Sequence, residues 1–363
     1  MVGLGGVLVV IDSVVRTFVL PRASLAPLSR LLVGLLWLVF AALARSRRSY
    51  RHRDRVMAMY APVLLVSMPV VWLVLLWLAF TPLVMVAGRH GGALTARSGG
   101  STSDWLLAGS NLWTLGFEPP SGTLATSLSF TEATAGPIVV ALLISYVPTI
   151  YATFSAREQM VTQLEIRAAT PPTPTALLRR TQAAGYLADI DAYLAEWERW
   201  FVQLQETHPS LVPLIFLRSP RPDRSRITAA GAVLDTAALR MSVVDLAFRP
   251  SGGLCIRARS LALRQVSDLV GIAYDADPRP EDPLTITRTE FDEVVSQLRE
   301  ADVPVVEDLE AAWIAFRGWR INYDVPLVGL IGKLMAPLAP WSSDRSLRSA
   351  RPRLSLRWRG THR

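Results

Sequence analysis

Trp113-Thr114-Leu115-Gly116-Phe117-Glu118-Pro119-Pro120 stands between two long apolar runs. A threonine, an apolar residue, a glycine and an aromatic residue, entering a loop between membrane spans, let backbone carbonyls replace an ion's water shell. Such irregular backbone is tolerated at membrane depth only where protein or water lines it. The chemistry this predicts is ion coordination. An extracellular loop anchored at the interface by Trp105, Trp113 and Phe117 is the alternative.

Other chemistry is not signalled. A single Cys255 excludes an intramolecular disulfide and a multi-cysteine metal site. His52, His90, His208 and His362 fall in four separate regions without metal-ligand spacing. Cys255 with His208 reads as an ordinary buried thiol rather than a nucleophile and base. Asp275, Asp277, Glu281 and Asp282 lack calcium-loop spacing and read as a solvated loop. No glycine-rich dinucleotide fingerprint occurs in the second half. The expectation is a protein with no catalytic residues, no metal and no cofactor, and not an enzyme.

The elements that must position the loop are apolar helices. The chain has 363 residues, 51% of them hydrophobic, crowded into the first 155 positions. About 20 helical residues cross the roughly 30 Å hydrocarbon core, and four runs come near that length: 2–20, 28–43, 61–87 and 137–154. Asp12 and Arg16 inside the first share a helix face and read as a local ion pair; a secretory signal peptide lacks its basic n-region here. The arginine-rich stretch from Arg45 to Arg55 marks a cytoplasmic loop rather than a voltage sensor. The run 61–87 then leaves the cytoplasm, 88–130 lies outside, and 137–154 returns. The N-terminus and everything after about Ser155 are expected inside.

Outside, 88–100 reads as a flexible turret, and Ser103 caps a short helix to Leu112 with Asp104 in its first turn. That helix aims its negative end at the membrane centre, where it favours a cation. Gly136 and Pro148 are candidate hinges of the returning span.

The formal charge is +8, with a pI near 10.2. From Trp341 to Arg363 seven arginines face one acid, Asp344, which points to anionic lipid and not to nucleic acid. Only Lys333 among the 38 basic residues is lysine, so arginine abundance reflects a compositional bias.

On Thr114-Leu115-Gly116-Phe117, on 143–151 of the returning span and on Arg157-Glu158, positions 57 to 160 resemble the pore-loop potassium-channel superfamily. The chain looks closer still to bacterial potassium-channel-like membrane proteins with a helical cytoplasmic domain, a likeness that extends to 216–220 and 319–324. The resemblance implies that Thr114 supplies the innermost ligands, that Leu115, Gly116 and Phe117 continue the carbonyl ladder, and that four chains close the pore. Potassium filters continue with glycine and then an acid; here Glu118 follows directly. It either replaces that glycine, at about 1 to 2 kcal/mol of left-handed strain, or stands as the acid after a shortened ladder. Four Glu118 carboxylates would still attract cations. Monovalent cations, membrane lipids and a homotetramer are the implied partners, in a bacterial plasma membrane.

The expected fold is an all-α membrane protein with four spans, a re-entrant pore helix and loop, and an all-helical cytoplasmic domain. Its domains are 1–56, N-terminal segments and basic loop; 57–155, pore-loop module; 156–340, helical domain; and 341–363, a basic disordered tail. Residues 156–169 extend the inner helix until Pro171, Pro172 and Pro174 stop it. Leu187, Ile190, Leu194, Trp197, Phe201 and Leu204 mark an amphipathic helix. Further helices are expected at 227–244, 254–272, 288–300 (with a Thr287–Glu290 capping box) and 306–321, where Trp313, Phe316 and Trp319 pack a core face. A non-conducting receptor or scaffold that kept this architecture is the second reading.

Overall fold

A computed structural model describes residues 2–18, 20, 26–90, 101–117, 119–120 and 122–345. The α-helices in chain order are α1 (Val2–Phe18), α2 (Pro27–Arg45), α3 (Tyr50–Ala58), α4 (Tyr60–His90), α5 (Ser101–Leu112), α6 (Thr123–Ala168) and α7 (Pro174–Ala183). They continue with α8 (Ile190–Ser210), α9 (Arg226–Ser242), α10 (Ser251–Val270), α11 (Arg288–Arg299), α12 (Leu309–Arg320) and α13 (Asp324–Leu334). Helix makes up 74% of the structure and no strand occurs among the described residues. The chain divides into two compact units: Met1–Phe40 with Met59–Ala152, and Ala41–Ala58 with Thr153–Arg363.

Among the described residues three helices are long and apolar enough to cross a membrane: Pro27–Arg45, Tyr50–Ala87 and Thr123–Ala168. The first of the four expected spans is not among them, because α1 has 17 residues and rises only about 26 Å. α1 packs along α4 instead. Ser13 and Thr17 on its buried face each hydrogen-bond Ser29 at 3.0 Å, and Trp72 Nε1 donates to Ser13 Oγ at 3.1 Å. Asp12 and Arg16 form the local ion pair their spacing predicts, at 2.8 Å and exposed.

The returning helix begins earlier than expected. α6 starts at Thr123, not near Pro137, and its 46 residues rise about 69 Å, more than twice the hydrocarbon thickness. Residues 123–136 are rich in serine and threonine, and the hydroxyls of Thr126, Ser127, Thr131 and Thr134 each donate to the carbonyl four residues back. This satisfies the hydroxyl inside the helix, so the polarity does not end it. Likewise α5 begins at Ser101, two residues before the expected cap at Ser103.

The second unit is built around α9, whose every residue from Ile227 to Arg240 is buried. A helix buried on all sides is a core helix, and its alanines let α7, α10, α12 and α13 approach it. Its two buried charges are met within the chain. Arg240 pairs with Asp191 at 2.8 Å. Asp235 pairs with Arg320, which also reaches Asp324 at 2.9 Å and the Trp341 carbonyl at 2.8 Å. Burial alone would lower the Arg320 pKa, but the Asp235 and Asp324 carboxylates outweigh it and hold the guanidinium charged.

The expected face of α8 is buried from Leu187 to Leu204, and the Thr287–Glu290 capping box is present at the start of α11. Of the three α12 aromatics only Phe316 is fully buried; Trp313 and Trp319 are half-buried. Pro174, expected only to stop a helix, opens α7, with Thr173 as its cap.

Candidate functional site

The candidate loop is positioned by α5, which lies against α4 and α6. Leu107, Ala108 and Leu112 are its buried side. Trp77 Nε1 on α4 donates to the Trp105 carbonyl at 3.0 Å, and the two indole rings lie 3.9 Å apart. On α6, a Cβ added to Gly136 would stand 2.0 Å from the Leu112 carbonyl oxygen. Gly136 therefore serves as the seat for the end of α5, thirteen residues inside α6 rather than near its outer end. Pro148, the other candidate hinge, is also within the continuous helix and exposed.

At that seat α5 stops and the loop begins. Thr114 has φ +54° and Gly116 φ +70°. The Thr114 amide donates to the Asn111 carbonyl at 2.9 Å and the Leu115 amide to the Ser110 carbonyl at 2.8 Å, the paired bonds of a Schellman helix stop with threonine at the left-handed position. The Phe117 amide donates to Ser110 Oγ at 2.7 Å. The amides of Thr114, Leu115 and Phe117 are thus turned back onto α5. Among the described residues no hydrogen bond reaches the carbonyls of Thr114, Leu115, Gly116 or Phe117. Carbonyls left over in this way are available as ligands. The C-terminal end of α5, where the helix dipole is negative, adjoins them.

The loop residues face outward in the single chain: Trp113 is 47% exposed, Leu115 56% and Phe117 76%. Thr114 and Gly116 are exposed too, as is Pro119, while Pro120 is half-buried. Glu118 lies outside the described residues, as do the stretch 91–100 and the tail beyond Arg345.

Behind the loop lies a residue that the sequence reading passed over. Glu132 of α6 is fully buried, and neither carboxylate oxygen has a hydrogen-bond partner among the described residues. The side chain of Asn111 lies beside it and donates Nδ2 to Ser129 Oγ at 2.8 Å. The signal was an acid within an apolar helix, a functional candidate by default; it was missed because the returning span was expected to begin at Pro137, after this residue.

α6 has two unlike faces. Ala125, Ser129, Glu132, Gly136, Val139, Tyr146 and Ile150 are buried within the unit. Opposite them Ser127, Thr131, Thr134, Ser145 and Thr149 form an exposed polar stripe interrupted by Ile138 and Ala141. Only 17% of the most apolar window of this helix is buried, against 50% for the span 50–87.

Among the described residues no three His, Cys, Asp or Glu side chains gather in a way that could hold a metal ion. No protein-family model, curated protein or solved structure matches this chain.

Proposed function

We propose that the chain is a subunit of a cation-conducting membrane protein, four copies of which surround a path lined by Thr114, Leu115, Gly116, Phe117 and Glu118. The observation that carries this reading is the hydrogen-bond pattern of the loop, with amides turned back onto α5 and carbonyls unused. Carbonyl rings of this kind can replace the water of a monovalent cation. Two further features agree. The polar stripe of α6 is exposed and suits a water-filled lining. Glu132, buried with neither carboxylate oxygen hydrogen-bonded among the described residues, would put a carboxyl group close to the proposed axis.

In this reading α1 completes a four-helix membrane module, the basic segment after α2 lies on the cytoplasmic side of a bacterial plasma membrane, and the second unit is a cytoplasmic domain that assembles or gates the pore. One observation favours a non-conducting receptor or scaffold instead. The left-handed Thr114 closes an ordinary helix stop, which any loop after a helix can use.

Flux of potassium or sodium from loaded proteoliposomes separates the two. The native chain is expected to conduct, Gly116→Asp to abolish flux, and Glu132→Gln to reduce it severalfold while the chain remains folded. Absence of flux from folded, inserted protein, with either ion, would favour the receptor or scaffold.

A further inference from the structure

The stretch joining α2 to α4 has an outer and an inner face with different partners. α2 ends on Arg45 and α4 begins at Tyr60, and both belong to helices apolar enough to cross a membrane. What lies between is tethered at both ends to these helices, and if both cross a membrane it lies beside the headgroup layer. Arg45, Arg47, Arg48, Arg51, Arg53 and Arg55 are all exposed there. Among the described residues none of the six is paired with a carboxylate.

The one acid of the stretch points the other way. In α3 the side chains of Tyr50, Asp54 and Met57 are drawn inward while Arg51 and Arg55, one turn apart, stay outside. Asp54 forms an ion pair with Arg218, and both are mostly buried. Arg218 also donates to the carbonyls of Leu334 and Met335, where the left-handed Met335 ends α13. A single nine-residue helix therefore carries unpaired cations on one side and a tie to the second unit's core on the other.

We propose that the exposed arginines of 45–55 bind the headgroups of anionic phospholipids, and that the Asp54–Arg218 pair transmits this binding from α3 to the rest of the second unit. Charge complementarity and tethering beside two apolar helices favour lipid over other anions. A nucleic acid would have to approach the same membrane surface, and exposed arginines with no enclosing cavity give a free phosphate no site. Basic residues beside a bilayer attract anionic lipid cumulatively. The inference rests on the membrane placement of α2 and α4 and does not require that the protein conduct.

The test uses the full chain in detergent micelles doped with phosphatidylglycerol or phosphatidylcholine, with bound lipid counted by native mass spectrometry and thermal unfolding followed by tryptophan fluorescence. Phosphatidylglycerol is expected to be retained and to raise the unfolding midpoint, and phosphatidylcholine to do neither. Arg51→Gln with Arg55→Gln should cut retained phosphatidylglycerol at least twofold and abolish the shift. Arg218→Gln should retain the lipid and lose the shift; Asp54→Asn, which disturbs no carbonyl contact, should do the same. Unchanged retention in the double variant would overturn the proposed surface. So would an equal shift from phosphatidylcholine, inorganic phosphate or duplex DNA. A shift that persists in both Arg218→Gln and Asp54→Asn would overturn the transmission.

Discussion

Arg320 and Glu132 are both fully buried ionisable side chains, and the two units provide for them in opposite ways. Arg320 meets Asp235, Asp324 and the Trp341 carbonyl, while Tyr323 and Thr285 donate to the same carboxylates at 2.7 to 2.9 Å. Its charge is compensated inside one chain. Glu132 has no hydrogen-bond partner for either carboxylate oxygen among the described residues, and the loop in front of it is exposed. A buried polar group without a partner is costly, and these two groups differ in how far that cost is met among the described residues. The same contrast separates the central helices. α9 is covered on every side, whereas α6 covers one face and leaves a polar stripe open.

The largest effect that would test this contrast is expected at Arg320. Arg320→Met leaves Asp235 and Asp324 buried without their cation, and breaking a buried pair from one side costs about 3 to 5 kcal/mol. The unfolding midpoint of the second unit should fall steeply, measured by denaturant titration in detergent. A loss below about 1 kcal/mol would place the network nearer to a solvated ion pair and weaken the distinction between the units.

Gly136→Ala comes next. The added Cβ would meet the backbone oxygen of Leu112 at 2.0 Å, which cannot rotate away as a side chain would. Overpacking of this kind costs about 1 to 3 kcal/mol, and here it pushes on the end of α5 from which the loop starts. The variant is expected to lose flux out of proportion to its loss of thermal stability. If both are unchanged, α5 is not seated on α6 as described.

Thr114→Gly should have a small effect on stability and a large one on conduction. Glycine relieves left-handed strain of about 1 to 2 kcal/mol but costs about 0.5 to 1 kcal/mol in backbone entropy, so the net stability change is within about 1 kcal/mol. If Thr114 only ends a helix, the variant should match the native chain in every assay. If its hydroxyl also contacts a cation, flux or selectivity should change while the unfolding midpoint does not.

What could be read from the sequence followed the range of the interactions involved. The Thr287–Glu290 capping box spans four residues, and the buried side of α8 repeats along one helix, so both were legible. The tetrapeptide Thr114–Phe117 was legible as a pattern, but its helix stop depends on carbonyls of Ser110 and Asn111 that no side-chain pattern announces. α13 was not foreseen because Pro326, Gly329 and Gly332 argue against a helix. Pro326 is tolerated in its first turn, and packing of Leu327, Leu330 and Ile331 supplies what propensity lacks. The extra length of α6 was hidden by its serines and threonines, which bond back to their own helix. Glu132 was hidden with them, since its isolation is a property of α5 packed on α6.

The smallest effect concerns a surface pair of the second unit. Burial alone would raise the Glu290 pKa, but the guanidinium of Arg345 and the amide and hydroxyl of Thr287 outweigh it and hold the carboxyl at about 2, below its ordinary 4.5. A carboxyl whose folded pKa is depressed adds stability above its unfolded pKa, and that stability is lost as pH falls through the folded value. The contribution should therefore be complete above about pH 5 and decline between pH 4.5 and 2. Because the group is partly exposed, salt should screen much of it. Arg345→Gln should flatten this part of the stability profile without altering the response to Arg320→Met. A profile that stays as steep in Arg345→Gln would assign the acid sensitivity to other carboxylates.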